Sequence, residues 1–254
     1  MTPPTTATGI RARNRAALES EILAVAGRHL AEHGAAALSL RAIARDLGMA
    51  SSAIYRYVAS RDDLLTDLIV AAYTSLADDV DDRLARAQIE VSAGGPAGGP
   101  GQAAADAERF REIGRAVRAW AVEHPHEWSL LFGSPVPGYD APAERTTEPG
   151  TRIQRLLIPL LDGLMPATAR GEVLAFDDPA FAGITVSPEA LRRGLGAWTL
   201  VLGSVNAEVF EYFGPQVAQD RPAHFESMLD FALGIVTGPL VSGPGPSSED
   251  GAAR

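Results

Sequence analysis

The chain has 254 residues, is 46% hydrophobic and contains no cysteine, which provides for a folded core and excludes a disulfide framework, a thiol nucleophile and a cysteine-ligated zinc site. The opening MTPPTTATGI lacks the apolar stretch of a signal peptide, and no run reaches the ~18 apolar residues of a membrane span, so a cytoplasmic protein is expected. The formal charge of −10 argues, taken as an average, against nucleic acid.

The distribution of charge says something different. Residues 1–60 hold seven arginines against four acids, a balance of +3, while the remaining residues hold fifteen arginines against twenty-eight acids, a balance of −13. A basic head on an acidic body is the asymmetry expected when only one end of a chain meets DNA.

In chain order, Ile22, Val25, Ala26 and Leu30 recur at helical spacing and predict a helix from about Arg15 to His33, ended by Gly34. Ser39 is a good N-cap for a second helix with Leu40, Ile43, Ala44 and Leu47 on its apolar side, stopping at Gly48. A third, short helix is expected over 51–57. Ser60 then caps a longer helix with Asp62 and Asp63 in its first turn, where the helix dipole favours negative charge, and with Leu64, Leu65, Leu68, Ile69, Ala72 and Leu76 as its stripe. Residues 92–105, SAGGPAGGPGQAAA, read as a flexible loop. Further helices are expected at 105–123, 150–164, 188–213 and 222–237, with a break at HPHEW, a loop GSPVPGYDAPAE, and a disordered tail over 238–254. No period-two alternation occurs, so the fold class is all-α: an N-terminal three-helix domain over 15–74 and a C-terminal helical domain over 75–237.

Two short helices separated by a glycine turn, packed by Ile43, Ala44 and Leu47 on one side and Ile54 and Val58 on the other, form a helix-turn-helix over about 39–58. If Ile54 and Val58 face inward, Ser51, Ser52, Tyr55 and Arg56 project outward, and hydroxyls and a guanidinium suit both base edges and phosphates. Arg41, on the preceding helix, is within reach of a guanine.

The segment SLRAIARDLGMASSAIYRYVASRDDLL, residues 39–65, resembles the DNA-binding module of the tetracycline repressor (TetR) family, including its I-A-x-x-L-G turn and the pair Tyr55-x-Tyr57. The resemblance implies base contacts from Arg41, Ser51, Ser52, Ala53, Tyr55 and Arg56, and DNA-backbone contacts from Tyr57 and from Arg61, where the family usually has lysine. Ala50 stands where a capping serine is common, Ser52 where glycine or proline is common, and Val58 where phenylalanine is common. AWTLVLGSVNAEVFEYF, from Ala197, resembles the family's WHG-type regulatory domain: Trp198 and Gly203 match, and Leu202 occupies the usual histidine position. HPHEWSLLFG, from His124, resembles the helix turn before the loop of that domain.

Blander readings compete with several of these residues. Tyr57 is as well explained by a half-buried core tyrosine. His124 and His126 lack a third ligand at metal spacing, and Asp78, Asp79, Asp81 and Asp82 read as a solvated helix face, so no metal site and no cofactor are expected. Trp120, Trp128, Phe132 and Trp198 are candidates for the wall of a ligand pocket among helices 105–123, 150–164 and 188–213, with core packing as the competing use. No enzyme signature of the metalloprotease, hydrolase, P-loop or dinucleotide type is present.

The expected function is a DNA-binding transcriptional regulator, a repressor that binds a palindromic operator as a homodimer and is released by a small-molecule effector. An architectural DNA-binding protein without a ligand is the alternative, and the acidic, aromatic-rich second half counts against it. Helices 188–213 and 222–237 carry more apolar surface than one pair needs, which predicts a four-helix contact between two subunits.

Overall fold

The computed structural model describes the backbone of residues 7–87, 100–165, 171–214 and 219–238. Eight α-helices account for most of it: α1 (Ala7–His33), α2 (Leu40–Asp46), α3 (Arg61–Arg86), α4 (Pro100–Glu123), α5 (Pro125–Phe132), α6 (Ala143–Leu164), α7 (Pro188–Val209) and α8 (Arg221–Thr237). Between α6 and α7 a two-stranded antiparallel ladder, β1 (Leu174–Ala175) and β2 (Thr185–Val186), pairs Leu174 with Val186 and Ala175 with Thr185. The fold is all-α.

Several boundaries differ from the sequence expectation for local reasons. Helix α1 starts at Ala7 rather than near Arg15, because nothing in ATGIRARN breaks a helix even though it carries no apolar stripe. Residues 100–105 belong to α4, which places a proline at its first position, where the missing N–H costs nothing; the rest of the expected 92–105 loop, and all of the tail beyond Gly238, lie outside the described residues. Helix α6 begins at Ala143, ahead of the expected 150, and keeps Pro149 and Pro159 inside it, with Pro149 buried and Gly150 half-buried.

The buried apolar residues form two clusters. One joins Ile22, Val25 and Ala26 of α1 to Ile43 and Ala44 of α2, to Ile54 and Val58, and to Leu64, Leu65 and Leu68 at the start of α3. The other begins at Ala72 on the same helix and gathers α4, α5, α6, α7 and α8 around Phe110, Trp120, Trp128 and Phe225. Helix α3 therefore runs through both. Ion pairs lace the body: Arg118 holds Glu208 with two bonds of 2.6 Å, joining α4 to α7, and Arg115 holds Glu226 with two of 2.8 Å, joining α4 to α8. Buried Arg193 donates to the carbonyls of Val236 and Gly238, closing the C-terminal end of α8.

Among the described residues no helix is long and apolar enough to cross a membrane.

Candidate nucleic-acid interface

The turn after α2 is a Schellman motif. The Gly48 N–H donates to the Arg45 carbonyl at 3.0 Å and the Met49 N–H to the Ala44 carbonyl at 2.8 Å, which requires the positive φ of +65° at Gly48. This explains the glycine of the I-A-x-x-L-G sequence: an L-side chain there would be strained.

The element that follows is shorter and tighter than the helix expected over 51–57. Ala53 N–H donates to the Ala50 carbonyl at 2.7 Å, a 3₁₀ turn spans Ile54–Arg56, and a single α-type bond, Val58 to Ile54, closes it. Ala50 offers no side-chain oxygen and the turn carries no side-chain cap, which leaves a regular α-helix start without the acceptor that a serine at that position would supply. Ile54 and Val58 are nonetheless fully buried against the N-terminal core. Ser51, Ser52, Tyr55 and Arg56 lie exposed, Tyr55 by 51%, and Ala53 is half-buried between them. Arg41 is exposed on α2.

Arg45, four residues on from Arg41, is 78% exposed at its side chain and lies on the same face of α2. Sequence reading passed over it, although the i, i+4 spacing from Arg41 was available as a signal. Tyr57 is half-buried, packs on the N-terminal core, and has the Arg15 guanidinium 5.8 Å from its ring centre.

Arg61, for which the family resemblance implies a phosphate contact, is bonded to the protein's own backbone. Its Nη2 donates to the carbonyls of Ala35 at 2.9 Å and Ala36 at 3.2 Å, and Nη1 lies 3.5 Å from Asp62. The Ala35 carbonyl also accepts the Leu38 N–H at 3.3 Å, closing the 3₁₀ turn Ala35–Ala37, so the guanidinium adds a second donor there and reaches the Ala36 carbonyl beside it. Next to it, Ser60 Oγ accepts the Asp63 N–H at 3.0 Å, and Asp63 Oδ2 accepts the Ala59 N–H at 3.1 Å, a reciprocal cap that fixes the chain leaving the 3₁₀ turn. His29 Nε2 donates to Asp46 Oδ2 at 2.7 Å, tying α1 to α2, and this bond holds the Asp46 carboxyl below its ordinary value.

The residues expected to wall a pocket in the body divide. Trp120 and Trp128 are fully buried, with their indole N–H groups donated to Ser75 Oγ at 3.1 Å and Asn206 Oδ1 at 2.7 Å, so both fill the core. Trp198 and Phe132 flank a cavity of only about 20 Å³ among α3, α4, α6 and α7, room for about a water molecule. The large space lies elsewhere: a cleft of about 1330 Å³ between the end of α1, the α5 helix, residues 133–141, the start of α6 and the end of α7, with Phe132 on its wall. Its walls come from widely separated segments, so no local pattern in the sequence marks it.

His124 stacks on Trp120 with ring centres 4.9 Å apart. Asp78 and Asp81 are held by Arg152 at 2.7 Å each, and Asp79 by Arg83 at 2.6 Å. Those contacts account for three of the four acids in the run on α3 as ion-paired surface.

Residues 22–68 match the family model described as "Bacterial regulatory proteins, tetR family", and residues 110–232 match "Tetracyclin repressor-like, C-terminal domain". The HTH-type transcriptional regulator Rv1816 of Mycobacterium tuberculosis is 37% identical over 241 residues, covering 90% of this chain and 96% of that one. The crystal structure of SCO4313 superposes with a TM-score of 0.65 at 30% identity, over 87% of this chain and 98% of that one. The fatty acid degradation regulator FadR of Bacillus halodurans shares the fold, with a TM-score of 0.55 at 15% identity over 85% of this chain and 97% of that one.

Proposed function

Since the chain belongs to the tetR family and is a DNA-binding transcription regulator, we propose that it acts as a repressor: a homodimer on a two-fold symmetric operator, released when a small molecule binds. The observation that carries the DNA half is the exposed face formed by Arg41, Ser51, Ser52, Tyr55 and Arg56 directly opposite buried Ile54 and Val58, on the one basic part of an acidic chain. In this reading Arg41 and Arg56 supply guanidinium donors to base edges, Ser51, Ser52 and Tyr55 add hydroxyls, Ala53 offers its methyl group to a thymine, and Arg45 and Tyr57 hold phosphates. Arg61 we assign to the turn between α1 and α2.

The dimer reading is supported by what α7 and α8 leave uncovered. Val205, Phe225, Leu229, Leu233 and Val236 are spent within the body, whereas Leu195 and Phe231 are about three-fifths exposed and Ile235 two-fifths. An apolar strip of that kind on two neighbouring helices suits the same strip of a second copy. Two recognition elements would then enter successive major grooves ~34–36 Å apart.

Sequencing the fragments of the protein's own genome that it retains tests the reading: a recurrent inverted repeat is expected, and retention of DNA without sequence preference would favour an architectural role.

A further inference from the structure

We propose that the effector site is the cleft between the DNA-binding module and the body, that it takes an uncharged molecule with an aromatic or alkyl part and a hydrogen-bonding hydroxyl, and that the strap of residues 133–142 transmits its occupancy to the first turns of α3. The inference rests on the ligand-released reading above and adds the place, the ligand chemistry and the route.

Size and wall chemistry define the class. The cleft holds about 1330 Å³, ample for a small molecule. Aromatic rings contribute from four segments, Tyr73 on α3, Phe132 on α5, Tyr139 on the strap, and Phe210 and Tyr212 just after α7, and hydroxyls come from Tyr73, Thr147 and Thr151 among others. Among the described residues, no carboxylate and no guanidinium lines it, and His126 is the one ionisable group besides the tyrosines. A charged ligand would lose its hydration there without gaining a counter-charge, which is costly. The Tyr73 hydroxyl has no protein partner among the described residues, and burial pushes its phenol up, so it remains a donor at neutral pH.

The strap gives the route. Val136 and Tyr139 line the cleft and at the same time pack on the N-terminal core. Tyr139 Oη lies 2.9 Å from Thr66 Oγ1 on α3, and Arg145, just beyond the strap, bonds Asp63 and Asp67. Gly34, Ala35 and Ala36, the turn that Arg61 holds, also line the cleft. A molecule in the cleft therefore bears on the DNA-binding module through two segments, the strap and that turn. By linkage, it shifts operator affinity as far as it binds better to one separation of these walls than to another.

The test uses the full-length protein, Nile red as a neutral fluorescent probe, and para-butylphenol, para-butylbenzoate and para-butylbenzylamine as competitors on one skeleton. The phenol should displace Nile red at a concentration at least about tenfold lower than either charged analogue and weaken operator binding. Filling the cleft from either wall, with Thr147→Trp or Ala36→Trp, should weaken Nile red binding at least about tenfold and make the operator affinity that each variant retains insensitive to the phenol. Tyr139→Phe should leave phenol binding in place and reduce its effect on the operator. Preference for a charged analogue overturns the ligand class. Nile red binding unchanged in both tryptophan variants, with phenol still releasing DNA, overturns the site and leaves the ligand-released reading intact. Binding abolished by the tryptophans, with operator affinity indifferent to the phenol in wild type, overturns the route and that reading together.

Discussion

Arg145, in the first turn of α6, donates to Asp63 Oδ1 at 2.6 Å, while Asp63 Oδ2 accepts the Ala59 N–H that follows the 3₁₀ turn. One carboxylate thus joins the regulatory body to the backbone that carries the DNA-facing side chains. Asp63→Ala removes the cap and one of the two carboxylates that Arg145 grips, and Arg145→Ala releases both Asp63 and Asp67 while keeping the cap. The first should lower unfolding stability by about 1–2 kcal/mol and the second by about 1 kcal/mol or less, because both partners are about one-third exposed. Urea unfolding measures both; equal losses would mean that the cap contributes nothing.

Arg41 and Arg61 should separate cleanly. Arg41→Ala should cost about 1–3 kcal/mol of operator binding and relax preference at one position. Arg61→Ala should instead reduce folding stability by about 1–3 kcal/mol, through the loss of its charge-assisted bonds to the Ala35 and Ala36 carbonyls, and leave the salt dependence of binding near that of wild type. A salt slope reduced by about one unit in Arg61→Ala would return that residue to the phosphate-gripping role.

Phe231→Glu places a charge in the middle of the exposed strip on α7 and α8. Sedimentation at micromolar concentration should show a dimer for wild type and a monomer for the variant, with operator affinity reduced at least about a hundredfold, since burial of one such ring contributes about 1.5–3 kcal/mol and a buried unpaired carboxylate adds a penalty. An unchanged dimer would move the interface to another face.

Trp128→Phe deletes the donor to Asn206 Oδ1 in a fully buried setting. A loss of about 1–3 kcal/mol of stability is expected from the orphaned acceptor, with no change in Nile red affinity. Thermal unfolding and probe titration read the two effects independently, and an altered affinity would restore Trp128 as a pocket wall.

The His29–Asp46 bond gives a pH signature. The folded-state pKa of Asp46 lies below its ordinary value of 3.8, chiefly through the bond from His29, so the unfolded chain takes up the proton first as pH falls. The stabilisation is complete above that ordinary value and is lost as pH drops through the lowered folded one. Asp46→Asn should therefore be less stable than wild type near neutral pH, and the gap should close in acid; a gap of constant size would assign the loss to packing.

Much of the N-terminal module is legible in the chain itself. The spacing of Ile22, Val25, Ala26 and Leu30, the Gly48 turn and the Ser60 cap are decided within four or five residues, where helix periodicity and backbone chirality act, and the structure reproduces each of them. The same locality limits the reading. Whether Arg61 meets a phosphate or the Ala35 carbonyl, whether Trp120 and Trp128 line a pocket or fill a core, and where the large cleft opens all depend on segments 25 to 80 residues apart coming together. A stripe announces that a face will be buried and leaves its partner unstated. Asp63 with Arg145, and Thr66 with Tyr139, are neighbours only because α3 packs on α6 and the strap folds back onto the N-terminal core. Burial of apolar faces is non-directional, so the sequence specified the helices and their sides, and the packing of those sides decided which polar groups meet.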